Sequence, residues 1–107
     1  MPVEQSPPSL ATVTERVADR LRVVGPRMAA RQSAAADEVL DDVHGVLQQL
    51  ADLAAGCAGR PRLAVPSLAP HALGDQLLVL AHDVAAEGDL AAVDAALETL
   101  RALKTRI

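Results

Sequence analysis

The sequence predicts an all-α protein, a small antiparallel four-helix bundle, from three observations. The chain has 107 residues and no Phe, Tyr or Trp, and its 50% apolar content is nearly all Ala, Leu and Val. Its apolar residues recur at steps of three and four in four separate segments, the 3.6-residue helical period. No stretch alternates in the two-residue period of a strand. A chain of this size is expected to be one domain, 9–107, preceded by a flexible tail at 1–8 that carries three prolines and no periodicity. It can bury roughly 65% of its unfolded surface, enough for a core without metal or disulfides.

The first helix is expected at about 9–24. Ser9 or Ser6 can cap it, and Leu10, Val13, Val17, Leu21, Val24 and Met28 form its stripe. Pro26 would cost about 3 kcal/mol inside a helix and biases Gly25 away from helical geometry, so a break is expected near Val24–Gly25. The second helix is expected to start at 26 or 34 and run to 55. Val39, Val43, Val46, Leu50 and Leu53 form its main stripe, with Leu40, Leu47 and Ala54 beside it. Ser33 can cap this helix, or a rod of roughly 45 Å can run unbroken from Pro26, and Gly56 is expected to end it.

Residues 56–68 make the one long connection. Leu63, Val65 and Leu68 are expected to tuck against the bundle, which makes it a packed crossover. The third helix is expected at 69–87, with Leu73, Leu77, Leu80 and Val84 as its stripe. Gly88 should stop it, and Asp89 should cap a fourth helix at 90–105 whose last turns carry Arg101, Lys104 and Arg106. The Gly88–Asp89 joint should pair the last two helices tightly.

Composition removes several function classes. Without rings, nothing can stack on a base, cage a cation or grip a flat cofactor, so no cofactor is expected. The net charge of −4 argues against nucleic acid or an anionic membrane as the main partner. The start has neither the basic nor the apolar region of a signal peptide, and the longest apolar run, Leu77–Ala81, is far short of the roughly 20 residues that span a bilayer. A cytoplasmic protein is expected, and the bias to Ala, Leu, Val, Arg and Asp suggests a high-GC bacterium. Cys57 cannot form an internal disulfide, reads as a small loop residue between Gly56 and Gly59, and fits a reducing compartment. No Gly-rich phosphate loop appears, the serines read as caps or tail residues, and no small-molecule substrate or enzymatic activity is evident.

The three histidines are the few residues that could carry chemistry. Asp41 and His44 have the carboxylate-x-x-His step of helical di-metal sites, which need two such motifs pointing inward. Here there is one, on the polar face, so no metal is expected. His71, Asp75 and His82 fall within about 40° of one another on the third helix. His71 and His82 stand about 16 Å apart along the axis, which leaves His71–Asp75 as a surface hydrogen bond. His71-Ala-Leu-Gly-Asp resembles the motif of histidine-phosphotransfer domains, and His82-Asp-Val resembles the phospho-acceptor box of sensor kinases. That resemblance implies a four-helix relay with His71 or His82 as phosphoacceptor. The sequence departs from it: no Lys follows His71, and Ala85, Ala86 and Glu87 stand where a basic residue and proline belong.

Arg16, Arg20, Arg27 and Arg31 would share one face if the first helix ran through Pro26, and they could contact anions or nucleic acid. The alternative is structural: the acids of the second helix (Asp37, Glu38, Asp41, Asp42, Asp52) would complement them and fix the helix pairing. The remaining clue is an apparent surplus of aliphatic surface. Leu40, Leu47, Leu78 and Val79 are more than one thin core is expected to absorb, which points to an interface. The expected function is therefore a non-enzymatic helical interaction module that forms a homodimer or docks a helical partner.

Overall fold

The computed structural model describes residues 9–107, so the expected tail at 1–8 lies outside the described residues. Four helices follow in order: α1 (Leu10–Arg31), α2 (Ala34–Ala58), α3 (Leu73–Glu87) and α4 (Leu90–Lys104). A single 3-10 turn, Pro70–Ala72, leads into α3. Three of the helix starts are set by the expected side-chain caps. Ser9 accepts from the Thr12 amide at 3.2 Å, Ser33 from Ala36 at 3.1 Å and Asp89 from Ala92 at 2.8 Å. Each satisfies an amide that the helix itself leaves without a partner.

Two expected boundaries are corrected. α1 does not break at Val24–Gly25 but continues through Pro26 to Arg31. The break falls at Gln32, which takes a left-handed φ of 50° before Ser33 restarts the chain. α2 does not stop at Gly56. Nothing crowds Gly56 inside the helix, and the left-handed position that favours glycine comes three residues later, at Gly59 with φ 67°. Cys57 therefore sits in the last turn of α2 rather than in a loop.

The core is aliphatic. Val17, Leu21, Val43, Leu47, Leu50, Leu73, Leu77, Val84 and Leu100 are essentially fully buried, with Ala18, Ala54, Ala81 and Ala96 between them. Thr14 is the one buried polar side chain among the described residues, and its hydroxyl donates back to the Leu10 carbonyl at 2.6 Å. Side chains of this size let the helices approach closely. α3 lies against both α1 and α2, α4 touches both from the other side, and α3 and α4 are the least intimate pair of helices. The expected tight pairing of α3 with α4 is thereby corrected. A two-residue joint fixes their ends, but the apolar stripe of each faces the α1–α2 pair.

The closest approach is between α1 and α3. A Cβ on Gly74 would stand 2.8 Å from the Ala18 carbonyl, and one on Gly25 would stand 2.9 Å from the Pro70 carbonyl. Both carbonyls are backbone, so neither can step aside without moving a helix. Gly45, also inside a helix, has nothing within 4 Å of its missing Cβ. Gly45→Ala should therefore stabilise the fold by up to about 1 kcal/mol from helix propensity alone. Gly74→Ala should lose about 1–2 kcal/mol despite the same propensity gain, because the overlap costs more. Urea midpoints of the two variants check this; equal shifts would mean that α1 and α3 do not cross at Gly74.

Candidate functional site

Among the described residues the crossover between Gly59 and Ala69 is the one long segment without helix, and polar side chains fasten it. Gln48 on α2 holds it with both halves of its amide: Nε2 donates to the Leu63 carbonyl at 2.9 Å, and Oε1 accepts from the Val65 amide at 2.9 Å. The same Nε2 donates to Asp52 at 3.0 Å, and Gln76 on α3 donates to the Pro66 carbonyl at 2.9 Å. Arg60 pairs with Glu87 at the far end of α3. The crossover is thus clamped to two helices. Gln48 and Gln76 carried no signal as a pair, because an amide that substitutes for a strand neighbour is visible only once the loop is in place.

What the clamps hold up is an apolar surface. Of the three residues expected to tuck in, only Val65 is half-buried; Leu63 stays 75% exposed and Leu68 47%. This is a correction to the packed-crossover expectation. The glutamines tie down backbone, which leaves the leucines free to project. Between crossover, α2 and α3 lies a hollow of about 560 Å³, lined among others by Ala55, Leu63, Val65, Leu68, Val79 and Leu80. On the other side of α3 a second hollow of about 430 Å³ is lined by Leu10, Thr14, Glu15, Leu78 and His82. Val79 and Asp83 border both, so they form a ridge between two grooves.

The four residues expected at an interface separate. Leu47 is fully buried in the centre of the core and presents nothing to a partner. Leu40 and Leu78 are half-buried and pack against the core. Val79 alone stands out, at 61% exposure, on the ridge. Most of the apparent aliphatic surplus is therefore absorbed within the chain, because α3 and α4 both lie across the α1–α2 pair and give α2 two apolar neighbours.

The histidines do not assemble a site with one another. His71 is exposed in the 3-10 turn, outside α3 proper. Its expected partner Asp75 bonds instead to Arg22 of α1 at 2.9 Å, which corrects the His71–Asp75 pair. His82 is exposed at the second hollow, and His44 is half-buried on α2 beside exposed Asp41. Among the described residues, no group of three or more His, Cys, Asp or Glu is placed to hold a metal ion.

Because α1 is continuous, Arg16, Arg20, Arg27 and Arg31 do share one exposed face. The expected pairing of that face with the acids of α2 is not what forms. Among the described residues the ion pairs are Arg22–Asp19, Arg22–Asp75, Arg60–Glu87 and Arg106–Asp42, and none joins α1 to α2. The hydrogen bond that Arg22 donates to Asp75 is the main reason that the Arg22 pKa is raised above its usual value. Arg20 donates to the Ile107 carbonyl at 3.0 Å.

No family model matches this chain, and no curated protein or solved structure matches it either. Function therefore has to be argued from this geometry. No helix among the described residues is long and apolar enough to cross a membrane.

Proposed function

We propose that the chain is a non-enzymatic helical interaction module that docks another helix on the α3–crossover face. The observation that carries this reading is the exposure of Leu63, Leu68 and Val79 around a hollow of about 560 Å³. Small proteins seldom leave aliphatic side chains grouped beside a groove unless something covers them. A ridge flanked by two grooves is also the shape that receives the ridges of a further helix. The exposed thiol of Cys57 supports a reducing compartment, so the cytoplasmic setting belongs to the same proposal.

Val79→Asp and Leu63→Asp place a charge on the ridge and on the crossover without touching the core. Both variants should keep the helical circular dichroism of the wild type. Both should lose any species heavier than the 11.1 kDa monomer in native mass spectrometry at micromolar concentration. A wild type that stays monomeric, and that takes up phosphate on His71 or His82 from a phosphodonor, would replace this reading with a histidine relay.

A further inference from the structure

The chain has ten Lys and Arg residues. Arg22, Arg60 and Arg106 make ion pairs, which leaves seven without one among the described residues. Six of those seven stand on two helices: Arg16, Arg20, Arg27 and Arg31 on α1, and Arg101 and Lys104 near the end of α4. The four on α1 fall within about 60° of one another at 100° per residue. Each is at least about 120° round the helix from Ala18, Arg22 and Gly25, which meet α3 and the turn before it. The stripe therefore faces away from the acids of α3.

It borders α4 instead. α3 runs antiparallel to α1, with Gly74 at Ala18 and Pro70 at Gly25, and the two-residue joint turns α4 back parallel to α1. Arg20 donates through Nε to the Ile107 carbonyl at 3.0 Å, which fixes the end of α4 beside the stripe. Thr99, Ala102 and Leu103 of α4 border α2. Lys104 is roughly 100–160° round from those three, on the α1 side, and extends the basic surface. Both acids of α1 lean toward α3: Asp19 holds Arg22, and Glu15 borders the second hollow. Acids bound the flank at its ends, with Glu98 about 9 Å before Lys104 on α4 and Asp37 and Glu38 opening α2 beyond Arg31. Between them lies a basic strip about 22 Å long.

We propose that this α1–α4 flank binds the phosphate backbone of a nucleic-acid duplex without reading its sequence. It is a second surface, separate from the α3–crossover face of the docking reading. Like charges at i,i+4, as in Arg16–Arg20 and Arg27–Arg31, destabilise a helix, and no ion pair among the described residues neutralises them. Phosphates do so, and a guanidinium offers them two parallel N–H donors. Arg20 spends only its Nε on Ile107 and keeps its terminal nitrogens. The net charge of −4 is carried on the other faces and at the ends of the strip, which limits the contact to four or five cations. Gripping a duplex backbone needs no aromatic ring, whereas holding single strands relies on stacking, so the duplex is the form that fits. An anionic membrane fits less well. Val13, Val17, Leu21 and Val24, the apolar side of α1, are buried in the core, which leaves Val23 alone to insert.

Fluorescence anisotropy of a dye-labelled DNA duplex of about 20 base pairs and arbitrary sequence, titrated with the protein from about 20 to 200 mM NaCl, tests this. Wild type should bind with a Kd of roughly 1–100 µM at about 50 mM salt, and log K should fall against log salt with a slope of about −4. Arg16→Gln combined with Arg27→Gln should make that slope shallower by about 2 and weaken binding at least about tenfold at about 50 mM salt. Both arginines are exposed, so the double variant should keep the wild-type circular dichroism. Arg62→Gln removes an unpaired cation from the crossover, off the flank, and should change neither slope nor affinity. Val79→Asp should change neither as well, so the docking reading and this one fail separately.

Absence of duplex binding at about 20 mM salt overturns the proposal. So does a slope that the double variant leaves unchanged, or an equal loss in Arg62→Gln. Tighter binding to polyglutamate or to phosphatidylglycerol vesicles than to the duplex also overturns it, and assigns the strip to an acidic protein segment or to a membrane.

Discussion

Leu47→Ala is expected to lower the stability of the fold by about 2–5 kcal/mol, the range for removing a fully buried leucine and leaving a cavity. In a protein of this size that corresponds to a fall in Tm of roughly 10–30 °C. Val79→Ala, on the exposed ridge, is expected to stay within about 0.5 kcal/mol of wild type. The contrast matters because sequence alone places both leucine and valine among candidate interface residues. Chemical denaturation of the two variants at a protein concentration too low for association separates the roles. If Leu47→Ala were as mild as Val79→Ala, Leu47 would not be in the core, and the packing of α2 between α3 and α4 would be wrong. The two variants should reverse order in a self-association assay, where Val79 is the residue with surface to lose.

The stripes at three- and four-residue spacing were enough to read four helices, and the caps put the start of α4 at Asp89, while Ser6 stood beside Ser9 for α1 and residue 26 beside 34 for α2 until the structure chose Ser9 and Ser33. Ser9, Ser33 and Asp89 work locally, each through the amide three positions on, so no tertiary knowledge is needed to find such caps. What sequence does not show is where a helix meets more than one neighbour. Leu47 looks like surplus if α2 has one apolar side, and it becomes central once helices cover α2 from two directions. The exposed face has the opposite history. Leu63 and Leu68 read as tucked against the bundle because they are large apolar residues in a connection that is not purely polar, yet Gln48 and Gln76 hold the backbone beneath them and leave the side chains outside. The arginine stripe of α1 was legible as a pattern, but whether it existed in space depended on a single proline.

That proline gives the second large expected effect. In a continuous α1, Pro26 has no N–H to donate to the Arg22 carbonyl, and its ring crowds that carbonyl. Proline inside a helix costs about 3 kcal/mol relative to alanine. Up to about 1 kcal/mol of this is returned because proline also restricts the unfolded chain. Part of the rest is absorbed if the helix bends to relieve the ring. Pro26 is exposed, so an alanine there meets no packing penalty. Pro26→Ala is therefore expected to stabilise the protein by about 1–2 kcal/mol and to raise Tm by roughly 4–16 °C. The sign of the effect is the discriminating quantity. Had α1 ended at Val24, Pro26 would open the following helix at its first position, where a fixed φ is preorganised and no N–H is missed. Alanine would then be neutral or harmful. A stabilising Pro26→Ala establishes that α1 carries its arginines on one unbroken face from Arg16 to Arg31. A destabilising one separates Arg27 and Arg31 from Arg16 and Arg20.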